Sequence, residues 1–139
     1  MSQSSPPAPP AGFTPFEFAD GYIGLSGPFF WKREDEGFVY GFHSDRRHQN
    51  PNGVLHGAAV LTFLDTCLGH AIVATTGRKC ATVALNAQFV AGAPAGGWVS
   101  ASVRFRRTTR TMAFLDCEAL AGDTLLVTAT AIFRVFEAG

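Results

Sequence analysis

The sequence predicts an α+β domain in which a curved antiparallel sheet wraps a long central helix. Three observations carry this reading. Leu55 to Thr75 is a long, proline-free apolar stretch, an apolar/polar alternation of period two runs from Ala81 onward, and clusters of turn formers separate the segments. At 139 residues the chain can bury one core and is short for two ordinary domains, so residues 13–139 are expected to form a single unit.

Met1 to Gly12 is rich in Ser, Pro and Ala, without a basic start or an apolar run, and is expected to be a disordered tail rather than a signal peptide or anchor. Phe13 to Trp31 mixes aromatics with Gly and Pro, which suggests a short helix or an irregular cover. After the charged turn Lys32 to Gly37, the aromatic and β-branched run Phe38 to Phe42 is a plausible first strand. Asn50-Pro51-Asn52-Gly53 then forms a loop that enters the helix.

The helix is expected from about Leu55 to Thr75, stopping near Gly77, where glycine can take the left-handed cap conformation. Val60, Leu61, Phe63, Leu64, Leu68, Ile72 and Val73 occupy all its sides, so it should be surrounded by protein. Beyond it, Ala81, Val83, Leu85, Ala87 and Phe89 alternate with Thr82, Asn86 and Gln88 in one strand. Val99 to Phe105 repeats the pattern, Ala113 to Ala119 gives a third apolar face, and Gly122-Asp123 turns the chain into Leu125 to Val135.

The 11 basic and 11 acidic residues balance, which removes the usual electrostatic reason to expect nucleic acid or an anionic membrane as partner. Cys67, Cys80 and Cys117 are odd in number and sit in apolar runs, as reduced cysteines of a cytoplasmic protein do. Leu55 to Val73 approaches the length of a bilayer span but carries His56, Asp65 and His70. A mid-span carboxylate costs on the order of 2.5 kcal/mol or more in lipid, so burial inside a soluble fold is the expectation.

Between Arg47 and Arg78 the only formally charged side chain is Asp65, in the middle of that apolar helix. A carboxylate there is costly unless it is paired or used. It is either a reactive group or a structural one satisfied by a hydroxyl such as Thr82. His56 and Gly57 open the helix, where free amides and the positive dipole end suit a developing oxyanion, although a glycine at a helix start is also an ordinary cap.

Asn50 can orient water or a carbonyl from the loop, or simply form an Asx turn ahead of Pro51. His43, His48, His56 and His70 lack metal-ligand spacing with an acid, and neither a Gly-x-Ser-x-Gly elbow nor a cysteine beside a histidine offers a nucleophile. Arg104, Arg106, Arg107 and Arg110, with Arg78 and Lys79, could meet nucleotide phosphates from the strand ends, or could form a solvated strand face.

Taken together, Asn50-Pro51-Asn52-Gly53-Val54-Leu55-His56-Gly57-Ala58 followed by Leu64-Asp65-Thr66 resembles the signature of the PaaI-like hot-dog thioesterases, and the resemblance extends from Gly37 to Phe136. It implies the hot-dog fold and hydrolysis of an acyl-CoA thioester without metal or cofactor. Asp65 would act as general base or nucleophile, the Gly57 amide would hold the thioester oxygen, and Asn50 would hold water or substrate. His56 would support that loop, and Thr82 would supply a hydroxyl near the carboxylate.

The resemblance also implies dimers joined edge to edge, often pairing into tetramers, in which Asp65 faces the partner subunit's Gly57. Substrate contacts are expected from Ala58, Arg106 and Arg107. Two departures stand out: Ala58 replaces the second glycine of the usual His-Gly-Gly, which narrows the mouth of the site, and Ala84 stands where many relatives carry an acid. They keep open a non-catalytic acyl-CoA or acyl-ligand binding domain. A hot-dog hydratase or dehydratase is less favoured by the helix motif.

Overall fold

The protein is described by a computed structural model covering residues 7–17 and 20–138. Its longest helix, α2 (Gly57–Thr76), follows a six-residue helix α1 (Gly21–Ser26). His56 caps α2, its Nδ1 accepting from the Ala58 amide at 3.0 Å, and Gly77 closes it at φ 69°, donating its amide to Val73 O. Only glycine takes that left-handed conformation without strain, so the helix stops there.

Seven strands form one antiparallel sheet: β1 (Thr14–Pro15), β2 (Phe30–Glu34), β3 (Gly37–His43), β4 (Cys80–Phe89), β5 (Trp98–Thr108), β6 (Met112–Ala121) and β7 (Thr124–Val135). Their order across the sheet is β1-β2-β3-β5-β6-β7-β4. Strands β3 to β7 all pack on α2. Val60, Phe63, Leu64, Cys67, Leu68, Ala71 and Ile72 of the helix are buried against Tyr40, Phe42, Val99, Leu115, Ala131 and Phe133. Each fully buried Leu, Ile or Phe contributes roughly 1.5–3 kcal/mol, so this interface is the main source of stability. By length and hydropathy α2 could cross a membrane, but here it is the core helix of the sheet.

This is the α+β architecture that the alternation and the apolar helix predict, and the hot-dog arrangement that the resemblance implies, with three differences of detail. The segment from Phe13 to Trp31 is more regular than expected, because it holds β1, α1 and the start of β2. Lys32, Arg33 and Glu34 belong to β2, which pairs with β3 in register Lys32↔Val39 and Arg33↔Phe38, so the charged turn shrinks to Asp35 and Glu36. Charge on an exposed strand near the sheet edge costs nothing in burial and hides the strand from a hydrophobicity search. Of the tail 1–12, residues 1–6 lie outside the described residues, and Ala8 O accepts from His43 Nε2 at 3.1 Å.

The second difference is that α2 is not surrounded within one chain. Val73 is 48% exposed, and Leu61 and Asp65 are only half-buried, because the sheet covers one side and α1 reaches only the first turns through Tyr22 Oη and Thr62 Oγ1 at 3.0 Å. The third is a β-bulge between Thr82 and Ala84, where Val83 has no partner on β7.

Trp98 of β5 lies across the backbone of Gly41 in β3, so close that a Cβ there would meet the indole Cζ2 at 1.9 Å. Gly41→Ala should therefore destabilise the fold by on the order of 1–3 kcal/mol through overpacking, read as a lower urea midpoint at an unchanged slope.

Candidate active site

Strict alternation from Ala81 to Phe89 sends Thr82 to the face opposite Leu85 and Ala87. The bulge changes this. Before it, Cys80 and Thr82 pair with Val135 and Phe133; after it, Leu85 and Ala87 pair with Ala131 and Ala129. All four partners are buried on the helix side of β7, so the unpaired Val83 turns Thr82 inward while leaving Leu85 and Ala87 inward as well. Thr82 Oγ1 then donates to Asp65 Oδ1 at 2.7 Å.

Asp65 and Thr82 line a cleft of about 790 Å³ between α2 and the first half of β4, roofed by Phe16, Tyr22 and Ile23 from the N-terminal segment. Thr82 is the only hydrogen-bond partner of the carboxylate among the described residues, which leaves Oδ2 free to meet a ligand or water. A hydroxyl donating to one oxygen fixes the orientation of the carboxylate while its second oxygen keeps its lone pairs. Lys79, Cys80 and His70 share the cleft wall.

Gly57 lies elsewhere in the protomer. It occupies the first turn of α2, eight residues before Asp65, which is about 12 Å along a helix axis. It lines a separate cavity of about 350 Å³ against Phe89, whose ring stands 2.7 Å from where a Gly57 Cβ would project. The amides of Ala58, Ala59 and Val60 are taken by His56, whereas among the described residues no acceptor meets the Gly57 N–H. That amide is the free donor of the helix N-terminus.

The remaining candidates surround this turn. His56 receives the Ala58 amide at Nδ1 and donates its own amide to His48 O at 2.7 Å, so it joins the helix start to the loop behind it. Buried His48 in turn accepts the Asp45 amide at Nδ1 and meets Ser26 O through Nε2 at 2.6 Å, holding α1 against the loop. Asn50 Oδ1 accepts from the amides of Asn52 at 2.9 Å and Val54 at 3.2 Å, the Asx-turn geometry, which leaves its carboxamide NH2 group to donate. Ala58 is exposed and lines a third small cavity with His56.

The basic cluster separates into unlike environments. On the outer sheet face, Arg106 Nη1 donates to Asp116 Oδ2 at 2.9 Å, with Arg104 Nη2 at 3.7 Å from the same oxygen. Arg78 donates to the carbonyls of Phe136 and Arg110, and Arg110 pairs with Glu137. Arg107 is exposed, and neither it nor Arg106 lines the Asp65 cleft.

His70 is the cleft residue whose environment the sequence does not show. Its ring is packed by Phe16 at 4.9 Å, Trp31 at 5.2 Å, Phe38 at 5.4 Å and Tyr40 at 5.5 Å, and its Nδ1 lies 3.0 Å from Tyr40 Oη. The only sequence signal for it is that His70 is the one ring with nitrogen donors within α2, and the aromatics that hold it come from three other elements or their flanks. Burial pushes the His70 pKa below its ordinary 6.5, and burial pushes the Tyr40 phenol far up. The buried Tyr40 O–H has no other acceptor among the described residues, so it is satisfied by donating to His70 Nδ1.

The family model of the Thioesterase superfamily matches residues 52–128. A Pseudomonas aeruginosa protein named as a candidate esterase is 28% identical over 129 residues, 91% of this chain and 96% of its own. Among solved structures, the E. coli PaaI protein from the phenylacetic acid degradation operon superposes with a TM-score of 0.75 at 16% identity, covering 84% of this chain and 85% of that one. A Bacillus halodurans protein solved with CoA gives a TM-score of 0.68 at 20% identity, over 77% of this chain and 72% of its own. At these identities the two structures show a common fold.

The His70 environment has a consequence for stability. Because the folded-state pKa lies below the unfolded one, the unfolded chain takes up the proton first as pH falls. The contribution is complete above about pH 6.5 and is lost as the pH drops below that value. The urea midpoint of the wild type should fall between pH 7.5 and 5 by more than that of His70→Phe. Asp45, whose pKa is held low mainly by Arg47, responds only in stronger acid.

Proposed function

The chain belongs to the thioesterase superfamily, and from that premise we propose that it hydrolyses an acyl-CoA thioester to the free acid and CoA. The observation that carries this reading is the Asp65 carboxylate, oriented by Thr82 and open to a cleft of acyl-chain size. Asp65 takes a proton from water as the water oxygen attacks the thioester carbonyl carbon. The resulting oxyanion accepts from the Gly57 amide, and the C–S bond then breaks with the proton passing to the leaving thiolate. Asn50 donates to water or substrate from the loop, and His56 keeps that loop and the helix start together. This chemistry asks for no metal or cofactor.

Asp65 and Gly57 of one chain are too far apart to act on one carbonyl, so the reading requires two chains. β4 is an edge strand of ten residues with Val83 and Phe89, and Val90 just beyond its end, each more than half exposed, whereas β1 at the other edge has two residues. A long apolar edge invites pairing with its own copy. A two-fold pairing along β4 would cover the open side of α2 and bring Asp65 toward the partner subunit's Gly57, with Ala58, Arg106 and Arg107 as candidate contacts for CoA. Pairing of two such dimers would give the tetramer. Free Cys67, Cys80 and Cys117 suit a reducing cytoplasm.

Asp65→Asn should lower thioester hydrolysis by about a hundredfold or more and leave the circular dichroism spectrum unchanged, with Thr82→Ala slowing it less. A panel of short, medium, long and aryl acyl-CoAs, read by thiol release, measures both. Wild-type turnover by folded Asp65→Asn would reject the general-base role, and tight acyl-CoA binding by a wild type that releases no thiol would favour a binding domain.

Gly57→Pro removes the amide at the first position of α2, where the fixed φ of proline fits once the exposed Phe89 ring, 2.7 Å from the added Cβ, swings aside, and it should be equally inactive with an unchanged circular dichroism spectrum. Refolding equal amounts of Asp65→Asn and Gly57→Pro together should restore about a quarter of wild-type activity, since mixed dimers each regain one intact site. No recovery from verified mixed dimers would argue against a site shared between chains.

A further inference from the structure

We propose that His70 is a specificity-determining residue of the Asp65 cleft: its Nε2–H is a fixed, neutral donor that recognises an uncharged oxygen, a ketone or a hydroxyl, on the acyl group beyond the thioester. This deepens the thioesterase reading and rests on it for the identity of the ligand. Among the described residues no buried side-chain nitrogen or oxygen lacks a partner, and His70 Nε2 has none, so that nitrogen is open rather than sealed in the core. His70 lines the cleft that holds Asp65.

The ring is held from several sides. Tyr40 is 0% exposed, and its hydroxyl has His70 Nδ1 as its hydrogen-bond partner. That O–H has no other acceptor among the described residues and is satisfied only by donating to Nδ1, which places the proton of the neutral imidazole on Nε2. Phe16 and Trp31 lie against the ring at interplanar angles of 36° and 34°, while Phe38 and Tyr40 meet it nearly edge-on. A donor held in this way is preorganised, so a matching acceptor gains a hydrogen bond without the cost of ordering the side chain.

His70 follows Asp65 by five residues, about 7.5 Å along the helix axis. The cleft wall is largely apolar, with Leu61, Val73 and Phe133 among its lining. The hydroxyls of Tyr22, Thr62, Thr66 and Thr82 in that lining are already hydrogen-bonded, so an acyl group entering from the Asp65 end would run along mostly apolar surface and meet two donors without a partner among the described residues, His70 Nε2 and the Lys79 ammonium. A plain alkyl chain leaves the His70 donor unpaired, and a matched oxygen satisfies it. One neutral hydrogen bond of this kind corresponds to about a tenfold preference.

The test uses non-hydrolysable thioethers, so that it reads His70 independently of turnover. S-heptyl-CoA, S-(6-oxoheptyl)-CoA and S-(5-carboxypentyl)-CoA are titrated calorimetrically into full-length wild type, His70→Phe, His70→Gln and Tyr40→Phe. The wild type should bind the ketone about tenfold more tightly than the alkyl ligand. His70→Phe, which keeps an aromatic ring, should bind both equally, His70→Gln should regain part of the preference through its amide, and Tyr40→Phe should fall between.

Equal affinities in the wild type, no binding of either ligand, or a preference that survives in His70→Phe would overturn the proposal. Tightest binding of the carboxylate would do so too, by pointing to Lys79 as the reader. Thiol release from heptanoyl-CoA and 6-oxoheptanoyl-CoA, measured alongside, reports separately on hydrolysis. A wild type that discriminates the thioethers but releases no thiol would remove the thioesterase reading and leave the role of His70 standing.

Discussion

The structure depends on covering α2. A helix with apolar side chains around its whole circumference is unstable in water, and the sheet from β3 to β7 supplies the surface that removes one side of it from solvent. The strand order follows from the same need. β4 leaves the end of α2 and crosses to the far edge beside β7, so that the hairpins β5-β6 and β6-β7 fill the middle. Sheet width and helix length are matched, but a seven-stranded sheet from one chain reaches only part of the way around. The strip the sheet leaves open carries Asp65 and Val73, with His70 at its border beneath the aromatic side chains of the N-terminal segment, β2 and β3.

A single inserted residue then decides what faces that strip. β4 needs Leu85 and Ala87 against the core, and it needs a hydroxyl beside Asp65; strict pleating cannot supply both from Thr82 and Leu85, which are three residues apart. The bulge at Val83 resolves the conflict by reversing the alternation once. Val83 itself is left 58% exposed on the sheet edge. The same local irregularity thus sets the orientation of the carboxylate and adds apolar surface to the edge where a second chain would pair.

The residues of the proposed site are distributed accordingly. The carboxylate end is complete within one chain, with Thr82 as its orienting donor, whereas the free amide of Gly57 opens on a different cavity two turns of helix away. His56, His48 and Asn50 are largely engaged in holding the loop and the helix start. A helix N-terminus held this firmly keeps the Gly57 N–H pointing one way, which is what electrostatic stabilisation of a developing negative charge requires.

The sequence by itself determined the elements and their order: the helix and its glycine stop, the four long strands after it, and Asp65 as the lone charge among apolar neighbours. Those features are local, written in periods of 3.6 and 2 and in turn residues, and they survive without knowledge of what packs on what. The charged strand β2 was hidden because an exposed strand near an edge need not alternate in polarity. The facing of Thr82 and the aromatic enclosure of His70 were decided only by tertiary structure. A bulge leaves no hydrophobic signature, since it is chosen by which residues the core must receive. The rings around His70 come from Phe16, Trp31, Phe38 and Tyr40, far from it along the chain, and they meet only when the N-terminal segment, β2 and β3 fold over α2.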